Sequence, residues 1–337
     1  MAIANKKVCE SVISRLETEG IDKKKVVSFW KLLHYDVADY NLIDYRVQKE
    51  NKDKFDGICI GISHAESGVD TDYLSGNWCN LAISSQDIFG QYKVLQYVFS
   101  KYQEKFSSLK YIVIDMFDWI YFNYDTSLSA SALTYIGTVS NLEGIWHHYD
   151  ENKLYVSELK VRENTYRCDE QKTLCDYECE QERILFGDWS NRGDCWNHYF
   201  ENTYETIQKG ADDFLKPSYM PIIAKKRNER TISENINIFK EMIGFLNDKG
   251  ISIILVMLPR YYTIEEIHKE LYADWKKEFL EILSEVRQLY EFDFIDFKEE
   301  STISKNHYFY RCVSHLNKSG AIAFTSLLNQ YITDKYM

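Results

Sequence analysis

Short apolar runs separated by longer stretches of helical period organise the chain. Phe55 to Ile62 is an apolar run ending in small residues with Ser63 just beyond it, the pattern of a buried strand that leaves its sheet through a tight turn. A very short strand is expected over Trp78 to Ile83. In the segment that follows, Ile88, Tyr92, Leu95, Phe99, Tyr102 and Phe106 recur at alternating steps of four and three, giving one apolar helix face, with Ser84 or Ser85 available to cap its start. Tyr111 to Met116 and Ile251 to Leu258 are almost wholly apolar, as strands covered by helices on both faces must be, and Pro259 ends the second. Ahead of that run, Ser233 is placed to cap a helix whose Ile236, Phe239, Ile243 and Leu246 share a face, and Gly250 suits the position just past its end. A helical stretch from Thr263 to Tyr290, a fifth strand at Phe292 to Phe297 and a last helix after His315 complete the pattern.

Strands alternating with amphipathic helices imply a parallel sheet with right-handed crossovers, so the expected fold is α/β: a flavodoxin-like, doubly wound, five-stranded sheet with a mostly helical insertion. The expected organisation is an N-terminal helical extension over 1–54, the α/β domain over 55–118 and 232–337, and an inserted helical cap over 119–231. That insert is long, aromatic and charged, with no obvious strand ladder and no internal repeat. Insertions at the carboxyl edge of such a sheet commonly build the binding site, so substrate specificity is expected there, a structural embellishment being the other reading.

Composition narrows the function classes. The chain has 337 residues, 26 Tyr, 18 Phe and 7 Trp, an aromatic content that suits sugar-binding clefts, although aromatic cores are commoner. A formal net charge of -12 argues against nucleic-acid and anionic-membrane partners, whose phosphates call for clustered Lys and Arg. No run reaches the roughly 18 apolar residues of a bilayer span, and the start MAIANKKVCESVISRL lacks a signal peptide's apolar core, so a cytoplasmic protein with reduced thiols is expected. Cys168, Cys175, Cys179 and Cys195 cluster in one polar stretch without paired C-x2-C spacing, and neither a metal nor another cofactor is read from them.

Ligands of open α/β sheets bind beyond the carboxyl ends of the strands. The polar residues found there are Ser63 and His64, Ser84 to Gln86, Asp115 and Asp118, Arg260, and finally His315 before the last helix. A serine hydroxyl is a weak nucleophile that needs a base within hydrogen-bond reach and donors for the developing oxyanion, a need that Ser63 and His315 could meet. His64 is the poorer base, because neighbouring side chains leaving a strand point to opposite faces; it is a substrate contact or fills a polar turn. A lone serine in this position is most often a turn or cap residue.

Three blocks, GISHAESGV, CNLAISSQD and SHLNKSGAIAF, resemble the SGNH (GDSL-type) hydrolase superfamily, most of all the bacterial branch with a G-x-S-H first block that includes relatives of the D-alanyl-lipoteichoic-acid transfer protein. The resemblance covers Phe55 to about Asp118 and Ile251 to about Tyr331. It implies Ser63 as nucleophile and His315 as general base. NLAISS is similar to the family's N-x-G-x-x-G turn, so Asn80 matches the Asn and Ser85 stands at the oxyanion glycine, where its N–H and the start of the following helix would favour an oxyanion. His64, Gln86 and Asp118 complete the candidate oxyanion and substrate-binding set. Three positions depart from the family pattern: the glycine at Ser85 is lost, IVIDMFDWI has no Gly-x-Asn, and Cys312 replaces the acid of the D-x-x-H block. The last leaves His315 without its orienting carboxylate; Asp296 or Asp118 are the substitutes to consider, and Cys312 is read as a partly buried thiol. The implied function is a serine esterase or O-acyltransferase acting on a carbohydrate in bacterial surface-glycan biosynthesis, with a carbohydrate or acylated small molecule as partner and no cofactor. The rival readings are a glycan-binding protein that has lost the chemistry, and transfer of another group to a glycan.

Overall fold

The structure, a computed structural model, describes residues 15–16, 18–20, 42–49, 52–128, 207–210, 227–298 and 300–337. Five strands, β1 (Gly57–Ile60), β2 (Trp78–Asn80), β3 (Tyr111–Asp115), β4 (Ser252–Met257) and β5 (Asp293–Asp296), form one wholly parallel sheet in the order β2-β1-β3-β4-β5. Each strand is shorter than its apolar run because the ends peel away into turns. Past β2, the Leu81 and Ile83 N–H groups still donate to the Cys59 and Gly61 carbonyls at 2.7 and 3.1 Å, which keeps that loop against the start of the next helix.

Helices among the described residues include α1 (Leu42–Lys49), α2 (Ser63–Gly68), α3 (Ile88–Lys101), α4 (Glu229–Asn247), α5 (Tyr262–Leu271), α6 (Ala273–Arg287), α7 (Ser301–Ser304) and α8 (Lys318–Tyr336). Strand side chains alternate between two cores. Ile58, Ile60, Ile112, Ile114, Ile253 and Leu255 face α3, α4 and α6, whereas Cys59, Val113, Ile254 and Val256 face Ile264 of α5 and Phe324, Leu328 and Ile332 of α8. Burial on both faces explains why the strands read as continuous apolar runs. Ile43 and Val47 of α1 are fully buried in the first of these cores, so this part of the expected N-terminal extension packs on the α/β body.

Several local expectations shift. Asp87, not Ser84 or Ser85, caps α3, accepting the Gly90 N–H at 2.9 Å. The buried stripe of α3 is Ile88, Val94, Leu95 and Val98, with Tyr92, Phe99 and Tyr102 at its edge, and Phe106 lies beyond the helix against Phe55. Asn228 caps α4 through the Thr231 N–H, which puts Ser233 inside the helix; Phe239, Ile243 and Leu246 are buried as expected, with Ile236 at the margin. The stretch Thr263 to Tyr290 is two helices, α5 and α6, meeting at Tyr272.

Most of 1–54 and 119–231 lies outside the described residues, including Cys168, Cys175, Cys179 and Cys195. The described start of the expected insert is largely buried over Trp119 to Ser127, and Asn235 of α4 holds it by donating to the Phe122 and Tyr124 carbonyls, both at 2.9 Å. Among the described residues, no helix is long and apolar enough to cross a membrane.

Candidate functional site

Ser63 is the first residue of α2, reached from β1 through Gly61 and Ile62. Gly61 has φ +153, and a Cβ there would stand 2.5 Å from the Asp115 Cβ, so only glycine lets the turn press this closely on the end of β3. Asp115 receives the turn. Its carboxylate accepts the Ala65 N–H at 3.2 Å and the Phe117 N–H at 2.8 Å, with Ile62 adding a third backbone hydrogen bond. Burial pushes this carboxyl up to about 7, and those three hydrogen bonds oppose the rise.

His315 arrives on a small antiparallel hairpin, β6 (Tyr310–Cys312) and β7 (His315–Leu316), in which Cys312 pairs opposite His315. The Tyr261 N–H, just after β4, donates to the Val313 carbonyl at 3.0 Å and fixes the hairpin tip, while Asn317 caps α8 through the Gly320 N–H. Ser63 Oγ then lies 2.8 Å from His315 Nε2, although the two residues are 252 positions apart. Burial pushes the His315 imidazole down to about 3, reinforced by Arg311 and Arg260 and opposed by Glu66.

Neither aspartate considered as a substitute stands behind His315. Its Nδ1 faces Ser314 Oγ at 2.9 Å and Cys312 Sγ at 3.3 Å. The Cys312 thiol is exposed, not partly buried. Asp118 is locked in a buried ion-pair cluster: Oδ2 accepts from Arg260 Nη1 at 2.7 Å, and Oδ1 accepts the Trp119 N–H and lies 3.5 Å from Lys298 Nζ. That engagement also removes Asp118 as a substrate or oxyanion group. Asp296 accepts the Lys298 N–H at 3.1 Å, at the far end of the sheet order.

His64 belongs to the first turn of a helix and not to a strand end, which places it beside the same imidazole. Its ring stacks on His315 with centroids 4.5 Å apart and planes 3° from parallel, and on Phe117 at 6.4 Å. Both His64 ring nitrogens are shut off from solvent without a hydrogen-bond partner among the described residues. Burial holds this imidazole well below its ordinary value, helped by His315 and Arg260.

The second block supplies a brace and a strained turn. Asn80 is no oxyanion donor: its Nδ2 donates to the Ala65 and Val69 carbonyls at 2.9 and 3.0 Å and its Oδ1 accepts the Ala82 N–H, tying β2 to α2. Ser85 sits at φ +63, left-handed backbone that favours glycine. Its carbonyl accepts from Tyr124 Oη and Thr126 Oγ1. Among the described residues, neither the Ser63 nor the Ser85 N–H has an acceptor. The start of α3 lies three residues further on, where the Asp87 carboxylate accepts the Gly90 N–H, so the helix does not begin at Ser85. Gln86 is 1% exposed, with both amide atoms unpartnered among the described residues.

Glu66 escapes sequence reasoning. It is 3% exposed, accepts from Arg46 Nη2 at 2.6 Å and from the Ser84 N–H at 2.8 Å, and also receives the Ser84 hydroxyl. Arg46 in turn donates to the Ala82 carbonyl, so one buried carboxylate joins α1, α2 and the loop that carries Ser85. The signal available in the sequence, an S-x-x-E spacing from Ser63, reads as an exposed helix cap and so hides the role. The assembled site offers a serine hydroxyl, a neutral imidazole in contact with it, and two backbone donors nearby, the parts that acyl transfer needs. No family model matches this chain, and no curated protein matches its sequence.

Proposed function

We propose that this chain is an SGNH-like serine esterase or O-acyltransferase acting on a carbohydrate in bacterial surface-glycan biosynthesis or modification, with Ser63 as nucleophile and His315 as general base. The observation that carries the reading is the 2.8 Å approach of Ser63 Oγ to His315 Nε2. The wholly parallel sheet, in the order β2-β1-β3-β4-β5, supports it, because ligands of open α/β sheets gather beyond the carboxyl ends of the strands. In the first half-reaction His315 Nε2 takes the Ser63 proton as Oγ attacks the acyl carbonyl. The Ser63 and Ser85 N–H groups receive the oxyanion. Collapse expels the alkoxide, which takes the proton back from His315 and leaves acyl-Ser63. A water or a sugar hydroxyl, deprotonated by the same imidazole, then releases the acyl group and restores the serine. The carbohydrate class rests on the sequence resemblance.

A fluorophosphonate probe should modify Ser63 in the native chain and fail in Ser63→Ala and His315→Ala. Turnover of an acetylated sugar or p-nitrophenyl ester should fall roughly 10³-fold or more in either variant. Full turnover by Ser63→Ala would end the proposal. One observation favours a second reading, a glycan-binding protein without turnover: among the described residues, no carboxylate stands behind His315 to stabilise its protonated form. That reading expects no probe labelling together with saturable binding of a sugar.

A further inference from the structure

We propose that Ser314 is the positioning residue of this site: its hydroxyl accepts the His315 Nδ1–H and passes its own hydrogen bond to the Cys312 sulfur, doing with neutral groups the orienting work of the missing acid. The inference rests on the Ser63–His315 reading above and concerns how that imidazole is held.

The argument is an accounting of donors and acceptors. Nε2 faces Ser63 Oγ at 2.8 Å and must present a lone pair if it is to take the serine proton, so the ring hydrogen has to be on Nδ1. A hydrogen there needs an acceptor, and Ser314 Oγ at 2.9 Å is an ordinary N–H···O contact, while Cys312 Sγ at 3.3 Å is the weaker acceptor. Used as an acceptor, the Ser314 hydroxyl points its own hydrogen elsewhere, and Cys312 Sγ lies 3.6 Å away, within reach of a sulfur acceptor. The row is therefore Ser63 O–H to Nε2, Nδ1–H to Ser314 Oγ, and Ser314 O–H to Cys312 Sγ. The other tautomer would turn Nε2 into a donor toward Ser63 and abolish the base. The hairpin supplies the rigidity, since Cys312 is cross-strand from His315, and the Tyr261 N–H pins the Val313 carbonyl between them.

A neutral hydroxyl fixes the tautomer without neutralising the imidazolium that forms in the transition state, so this site has the orienting half of an acid's contribution and lacks the electrostatic half. Restoring a carboxylate at position 312 should supply the second half.

The test uses the full chain labelled with 15N-histidine, with His315→Ala identifying the resonance. Long-range proton–nitrogen correlation at neutral pH should find His315 as the Nδ1–H tautomer. Ser314→Ala should shift it toward Nε2–H, and Ser314→Thr and Cys312→Ala should both keep it. Probe reaction at Ser63 should slow roughly tenfold in Ser314→Ala, recover in Ser314→Thr, and accelerate roughly tenfold in Cys312→Asp with KM for an ester substrate unchanged. An Nε2–H tautomer in the native chain overturns the inference, as does a tautomer that survives Ser314→Ala or is lost in Cys312→Ala. The tautomer does not depend on turnover: the expected shifts without any probe labelling would uphold the positioning role and overturn the catalytic reading.

Discussion

A histidine that serves as base must be neutral when the nucleophile needs it, and the surroundings of His315 secure this at a cost. An ordinary imidazole loses half of its base form near pH 6.5. With its pKa pushed down to about 3 by burial, Arg311 and Arg260, His315 stays neutral as the medium is acidified, until pH approaches about 3. The rate of probe reaction at Ser63 should therefore show no histidine limb between pH 8 and pH 5; a fall with its midpoint near 6.5 would contradict this placement. Asp115, pushed up to about 7, is a nearby group that does titrate in that range, and it holds the Ala65 N–H next to the turn that carries Ser63. A slope near pH 7 that vanishes in Asp115→Asn would belong to that carboxyl and not to the base. Under the proposed mechanism the cost is basicity, because the protonated His315 it calls for in mid-reaction is disfavoured by the same forces that keep it neutral at rest.

Between residues and fold stand short elements held by polar braces, and these are the least legible from sequence. Strand runs announce themselves because both faces of the sheet are buried, and the helix after β2 is visible from its period. Where α3 begins is not, because Ser84 is taken by Glu66 and Ser85 by a left-handed turn, leaving Asp87 as the cap. Charged residues read as surface, so an Arg46–Glu66 pair twenty positions apart with side chains 4% and 1% exposed leaves no periodic trace. That pair carries a prediction. Glu66→Ala leaves the Arg46 guanidinium buried without the carboxylate it faces and frees the Ser84 N–H, so urea unfolding should find a loss of about 3–5 kcal/mol. Probe reaction at Ser63 should fall as well, because the loop carrying Ser85 loses its anchor to α2. A stability change within about 0.5 kcal/mol, the range of an ordinary surface substitution, would show the pair to be dispensable.

At the scale of the molecule, the carboxyl edge of the sheet gathers groups whose charges depend on the fold. The order of strands is not visible in apolar runs, since neighbours are chosen in space. The meeting of Ser63 with His315 was legible through motif resemblance, and what lies behind the imidazole was not, because two residues of a hairpin turn decide it. The same edge predicts how stability responds to acid. His64 is held well below its ordinary pKa, His268 is pushed down to about 4 and His315 to about 3, each first by burial. An unfolded chain takes up protons at these histidines near pH 6.5, whereas the folded chain refuses them, so stability falls as pH drops below about 6.5. Asp118 and Glu265, both held low by Arg260 and Lys298 against their burial, act in the same direction at lower pH. Asp115, pushed up to about 7 by burial, opposes the trend between about pH 7 and pH 4, where the folded chain keeps a proton that the unfolded chain gives up, and Asp296, raised by burial, acts in that same opposing direction. Three imidazoles outweigh two carboxyls across that window, so the urea midpoint should be lower at pH 5 than at pH 7. Replacing His268, which packs on Tyr272, with Gln should flatten the difference; a midpoint that rises on acidification would mean that these imidazoles are not buried in the neutral form.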